Sequence, residues 1–418
     1  MKRICIFITF FLTALLLPSA SLAWHSIKAD NFKSLQVIVN NDFKALPVME
    51  LGSDDVAIIG FDEMSHNYHR LICHIEACNP DWSPNTELFE SDWLDGFNDM
   101  PVDDYQNSLN TTMLYTHYSM QLPNENTRLK MSGNYRLHFI DEDDGSKEVI
   151  VVELRVVEQV VGLNIGITTN TDIDLNQSHQ QLSVEMAYNS LRVTDPNAQI
   201  QTFFMQNGRE DNMKVNVAPN YKTTRGLTWE HNRNLIFAAG NEYRKFEVLD
   251  PSHPTMGLFS VAWDEQERMY HVVPFIAEPR RSYIFDQDAN GAFIIRNSDN
   301  IEIDYTSDYV LVHYCLKALR QYDNAVVRVN GRWACGNGDE YAMRWNDQEQ
   351  VYEGVVLQKL GYYNYQYLLC DYDGTTHPMP EEGSYYQTEN DYEAFVYYRG
   401  TGDRSWRLVG YREVTKAR

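Results

Sequence analysis

Beyond its first 23 residues the chain contains no run approaching the ~18 consecutive apolar residues that a membrane-crossing helix needs, so direct insertion into a bilayer is not expected. Basic residues are scarce. Thirty-five Lys and Arg stand against 59 Asp and Glu, a formal net charge of -24, which repels phosphate backbones and anionic membrane surfaces and argues against nucleic acid as a partner. Cysteines are few, six in 418 residues, and a chain of this length can build a core without a disulfide framework. Enzyme signatures are missing. There is no Gly-x-Ser-x-Gly elbow, no phosphate-binding glycine loop, no His-Glu-x-x-His and no cysteine in a recognisable protease setting. Only a carboxylate pair of the glycosidase kind, set by fold and not by spacing, would escape such a search. No catalytic residue, metal or cofactor is therefore assigned.

What is present begins with Lys2 and Arg3, an apolar run from 4 to 17, then Pro18 and the small-residue pattern Ser21-Leu22-Ala23. That is a secretory signal peptide over residues 1–23, cleaved near Ala23. No cysteine lies at the cleavage point to carry a lipid, so the mature chain is expected to start near Trp24 and to be soluble. Its 33 basic and 59 acidic residues then give a net charge of -26. Five cysteines remain, Cys73, Cys78, Cys315, Cys335 and Cys370, an odd number. The spacing allows a Cys73–Cys78 bridge or one pair among the late three, and buried free thiols serve equally well.

Helical periodicity is scarce and period-2 alternation dominates, which predicts an all-β protein. At roughly 150 residues per domain the length suggests two to three domains. Strand-like segments at 36–39, 56–61, 69–73, 135–140 and 148–156 predict a sandwich over 24–160. Those at 182–188, 200–206, 234–238 and 256–263 predict a second over 161–298. A third, early-set immunoglobulin-like, is predicted over 299–418 from 309–316, 325–329, 352–357, 363–370, 392–398 and 407–411. Short linkers would make the whole a semi-rigid rod.

Three groups invite a site. His66, His69 and His74 come close together, but His66 and His74 would stand about 26 Å apart on an extended strand, too far for one ion. Asp286-Gln287-Asp288-Ala289-Asn290-Gly291 matches the front half of a calcium loop, yet its twelfth position is Asn297 where a bidentate Glu is needed, so a hairpin turn is expected. Aromatic residues make up 13% of the chain and cluster late, in Trp333, Tyr341, Trp345, Tyr352, Tyr362, Tyr363, Tyr365 and Tyr367. Exposed, such rings could stack on sugars or anchor a partner; buried, the alternate tyrosines would fill a core.

Longer motifs resemble the plug protein family of the type 9 secretion system. They are Cys78-Asn79-Pro80-Asp81-Trp82, Tyr115-Thr116-His117-Tyr118, Leu122-Pro123-Asn124 and Met131-Ser132-Gly133-Asn134-Tyr135. Further on come Gln206-Asn207-Gly208-Arg209, Gly240-Asn241-Glu242-Tyr243-Arg244 and Asp288-Ala289-Asn290-Gly291-Ala292-Phe293. The last are Tyr352-Glu353, the stretch from Leu357 to Tyr367, Glu382-Gly383-Ser384-Tyr385-Tyr386 and Tyr397-Tyr398-Arg399. The resemblance implies a non-catalytic periplasmic protein, monomeric in isolation, that docks on the giant outer-membrane β-barrel translocon and closes its pore when no cargo is engaged. The third region also looks like glycogen-binding early-set modules, with Trp333 and Trp345 roughly where those carry theirs, although Ala334-Cys335-Gly336-Asn337 departs from the usual stretch. A glycan-binding module using Trp333 and Trp345 is therefore the alternative. Secreted cargo of the same system is disfavoured, because the chain ends as a domain is completed. No partner-contacting residue is assigned.

Overall fold

The computed structural model describes residues 24–336 and 338–416, so the expected signal peptide lies outside the described residues. The protein is all-β, and among the described residues its strands form three pairs of facing sheets and a separate two-stranded ribbon, Leu94–Gly96 with Thr127–Leu129.

The first pair spans residues 25–157. One sheet runs in the order His25–Ile27, Lys147–Val157, Gly133–Asp141, Leu71–Cys78, Met100–Pro101, with Val48–Glu50 added in parallel to Lys147–Val157. The other runs Phe32–Val39, Ala57–Glu63, Thr116–Leu122, Asp104–Asn107. Alternation puts every second apolar side chain between them. Phe61 stacks on its cross-strand neighbour Tyr118, with ring centroids 5.8 Å apart. From the opposite sheet Phe139 meets Phe61 edge-on at 5.0 Å, the arrangement that aromatic quadrupoles favour.

The remaining strands do not divide at 298/299 as the alternation suggested. Ile200–Gln206 pairs along its whole length with Asp391–Tyr398, from Ile200 against Tyr398 to Gln206 against Tyr392. Arg244–Val248 and Phe293–Ile295 both pair with Gly361–Asp371. A middle sandwich is thus built from a sheet around His179–Ala187 facing the sheet Arg209–Val215, Ile200–Gln206, Asp391–Tyr398, Arg407–Thr415. Its core holds Phe204 against Trp229 at 5.5 Å and Phe237 against Tyr392 at 5.4 Å. The third sandwich is inserted within the middle one, between residues 241 and 389. Its sheet Leu258–Asp264, Met269–Pro274, Tyr309–Lys317, Val351–Lys359, Arg344–Asn346 faces the strands grouped around Gly361–Asp371. The correction has a simple cause: alternation reports which segments are strands, whereas partners are chosen by the fit of apolar faces that lie far apart in the chain.

Candidate functional site

Most of the residues singled out by the sequence serve structure. Trp333 lies in the core of the third sandwich, only 8% exposed. It stacks on Tyr314 at 5.9 Å with the rings 10° apart, meets Tyr341 and Tyr363 edge-on, and donates its indole N–H to the Asn364 carbonyl at 2.8 Å. It offers no face to a sugar. Trp345 is half-buried against Tyr352, with centroids 5.0 Å apart, and the two tryptophans form no joint platform. Tyr363, Tyr365 and Tyr367 are all buried.

The three early histidines go to three partners. His66 Nε2 lies 3.0 Å from the Ser108 carbonyl, His69 Nδ1 2.8 Å from Asp141 Oδ2, and His74 Nδ1 2.7 Å from Asp99 Oδ1. His69, Asp141 and Asp143 do converge, with one possible ligand atom each within 4.8 Å of the others. Protein donors account for these carboxylates: Asp141 also accepts the amides of Asp143 and Asp144, and Asp143 that of Arg70. The segment 286–291 is a joint. Asp286 pairs with Lys245 at 2.5 Å, Asp288 accepts the backbone amides of Tyr243 and Asn290, and the Asn290 amide donates to Asp391 of the middle sandwich at 2.7 Å. All five described cysteines are free thiols. Cys73 and Cys78 lie on one strand, Leu71–Cys78, and burial pushes the Cys78 thiol up to about 12.

The unusual chemistry lies where the sandwiches meet. Asp62 and Lys359 form an ion pair at 2.7 Å with side chains 0% and 1% exposed, joining the first sandwich to the third. The Asp62 carboxylate also accepts the Tyr309 hydroxyl at 2.6 Å and lies 2.7 Å from His117 Nδ1. Lys359 stands 4.1 Å from the centre of the Tyr115 ring, a cation over a π face, and donates to the Asp304 carbonyl. Burial raises the Asp62 carboxyl, but Lys359 and the bond from His117 outweigh it, so it titrates below its ordinary value. Burial also pulls the Lys359 ammonium down, against the opposing pull of Asp62.

A second junction joins the first sandwich to the middle one. Arg155 is buried, pairs with Glu210 at 3.0 Å, and is caged by the rings of Trp24, Trp82 and Phe395 at 4.0, 4.7 and 4.9 Å. Trp24 donates its indole N–H to the Gly208 carbonyl, and Tyr397 donates to Asn134 Oδ1 at 2.6 Å. Where all three sandwiches touch, a cavity of about 60 Å³ is lined by residues including Leu46, Gly208, Phe293 and Arg332. Sequence reasoning missed these junctions.

These junctions titrate. Burial, with the like charge of Glu210, pushes Glu153 up to about 7, and burial pushes Asp288 from 3.8 to about 7. A carboxyl raised on folding holds a proton that the unfolded chain has released, so its contribution falls as pH rises from about 4 toward 7. Urea midpoints should therefore decrease from pH 5 to pH 7, and Asp288→Asn should flatten the slope. An unchanged slope would show that Asp288 ionises in the folded chain as it does in the unfolded one.

The comparisons with known proteins agree with this geometry. A family model described as type 9 secretion system plug protein 1st domain matches residues 32–158, the first sandwich. A crystal structure of a hypothetical protein from Parabacteroides merdae is 33% identical, with a TM-score of 0.89 over 94% of this chain and 99% of that one. Two Escherichia coli alpha-2-macroglobulin structures, native and trypsin activated, align at 12% and 8% identity. They cover 96% and 92% of this chain but 23% and 28% of their own, with TM-scores of 0.16 and 0.15, and carry no argument. No curated protein matches.

Proposed function

The chain belongs to the type 9 secretion system plug protein family and takes part in type 9 secretion, and we propose that it docks on the periplasmic side of the outer-membrane translocon barrel and closes its pore while no cargo is engaged. The observation that carries this reading is the buried clasp of Asp62 with Lys359. A pore wide enough for folded cargo leaks small solutes unless it is filled by something stiff. Loosely tethered sandwiches would let the seal breathe, whereas sandwiches joined through buried ionic contacts move as one body. In this reading the protein is a non-catalytic, monomeric periplasmic component, held at the outer membrane by its partner after cleavage near Ala23. The mature chain's net charge of -26 favours basic or polar loops on the barrel, with binding that weakens as salt rises.

The test is permeability. Deleting the gene should sensitise cells to antibiotics too large for ordinary porins, and a plasmid copy should restore resistance. Unaltered sensitivity in the deletion strain would overturn the proposal.

A further inference from the structure

We infer that strand Leu258–Asp264 is a docking edge that takes an extended segment of the partner by strand addition. The expected segment is apolar and carries basic residues at the end that meets the 264–268 turn. This rests on the plug reading for the identity of the partner and goes beyond it in naming the surface and the mode of contact.

Leu258–Asp264 is the outermost strand of its five-stranded sheet and pairs on one side only, with Met269–Pro274. Among the described residues, no backbone group of 259–264 has a hydrogen-bonding partner beyond that pairing. Such an edge is a template for another strand, and proteins ordinarily blunt it with lysine, proline or charge. The sequence here, Leu-Phe-Ser-Val-Ala-Trp-Asp, has no proline and no basic residue, its one acid is the last residue, and its one irregularity, a bulge at Phe259, leaves Ser260–Asp264 in regular register as the open edge. The edge strand Arg209–Val215 of the middle sandwich is different, for it carries Arg209, Glu210, Asp211 and Lys214.

The surface beside the edge is apolar. Phe259 is 68% exposed and Trp263 38%, and the Phe259 ring lies 6.3 Å from that of Phe275, itself 60% exposed. Phe275 opens a stretch, 275–288, that contains neither helix nor strand and adds Ile276 and Ile284 to the exposed apolar surface. Irregular loops of this length in compact domains commonly serve binding. The stretch is nonetheless held: the Ala277 amide donates to the Cys315 carbonyl, the Arg280 amide to the Glu381 carbonyl, and the Tyr283 hydroxyl to Glu242. It presents its side chains without first having to be ordered, which favours binding. An unpaired edge with an adjoining apolar rim suits strand addition, where backbone bonds supply affinity and side-chain pockets supply selectivity.

Charge selects the occupant. The turn that ends the edge holds Asp264, Glu265 and Glu267 against one base, Arg268. A second copy of the mature chain would bring two bodies of charge -26 together, whereas a partner strand with basic flanking residues complements the turn.

Amide hydrogen exchange on the mature chain, alone and bound to the detergent-purified translocon barrel of the same cells, tests the assignment. The barrel should slow exchange within 259–264 at least tenfold. The Phe259→Lys, Ala262→Lys double variant should bind the barrel at least tenfold more weakly while melting within about 2 °C of the parent. If the variant is destabilised, exchange on the parent chain decides. Binding without protection of 259–264 would overturn the docking edge and leave the plug reading standing. No binding to the barrel would overturn the plug reading and this inference with it. A concentration-dependent dimer in sedimentation, abolished by Ala262→Lys, would assign the edge to a second copy and also overturn it.

Discussion

Lys359→Met should cost about 3–5 kcal/mol of folding stability, the range measured when one member of a buried ion pair is removed. The substitution keeps most of the side-chain volume, so little of the loss comes from a cavity. What it leaves is the Asp62 carboxylate, 0% exposed, with only the Tyr309 hydroxyl and the His117 ring as its neighbours. Adding Asp62→Asn should recover much of the loss, because a neutral amide needs no countercharge. Urea denaturation of the parent, the single variant and the double variant measures this directly. A loss below about 1 kcal/mol in the single variant would place the pair among the weak, solvated bridges. The functional corollary is that cells carrying Lys359→Met should be as permeable as the deletion strain at temperatures where the clasp fails first.

A fragment ending at residue 298 should fold only in its first part. It retains Ile200–Gln206 and Arg209–Val215 but lacks Asp391–Tyr398 and Arg407–Thr415, half of a four-stranded sheet. Tyr392, Ala394, Val396 and Val409 leave the middle core with them, as Phe395, Tyr397 and Leu408 leave the junction with the first sandwich. The third sandwich fares no better, since Arg244–Val248 and Phe293–Ile295 lose the strand to which both pair. Each buried Phe or Tyr so exposed costs on the order of 2–3 kcal/mol of transfer free energy, more than a domain of ordinary stability can lose. Limited proteolysis of the 24–298 fragment should leave a resistant core ending near residue 160. Cooperative unfolding of an isolated 161–298 fragment would refute the pairing of Ile200–Gln206 with Asp391–Tyr398.

How far the sequence could be followed depends on the range of each interaction. Period-2 alternation is local, and each of the fifteen segments selected by it overlaps a strand of the structure, Tyr309–Lys317 and Gly361–Asp371 among them, although 234–238 begins in the 3-10 turn Arg233–Leu235. The all-β class needed nothing more. The hairpin turn expected at 286–291 was legible only in part: Asn290 and Gly291 both take positive φ, a conformation those residues tolerate, but no strand leads into the turn, since none lies between Met269–Pro274 and Phe293–Ile295. Family membership was legible in the motifs of the first region, where the family model matches residues 32–158. Partner choice was not legible. A strand at 200–206 carries no mark saying that its neighbour lies at 391–398, since any apolar face of matching shape would satisfy it. Nor does an aspartate or a lysine reveal that it will be buried, for the same two residues on a surface would look alike in the sequence. Trp333 shows the same limit, as an indole suits a sugar platform and a core equally well, and only packing against Tyr314 and Tyr363 settled it. Composition and alternation therefore determined the class and the strand-forming segments of this protein, and motifs within 32–158 its family. The tertiary fold alone decided which strands pair, which charges are clasped and which edge is left open, because those outcomes depend on residues that the chain brings together across more than a hundred positions.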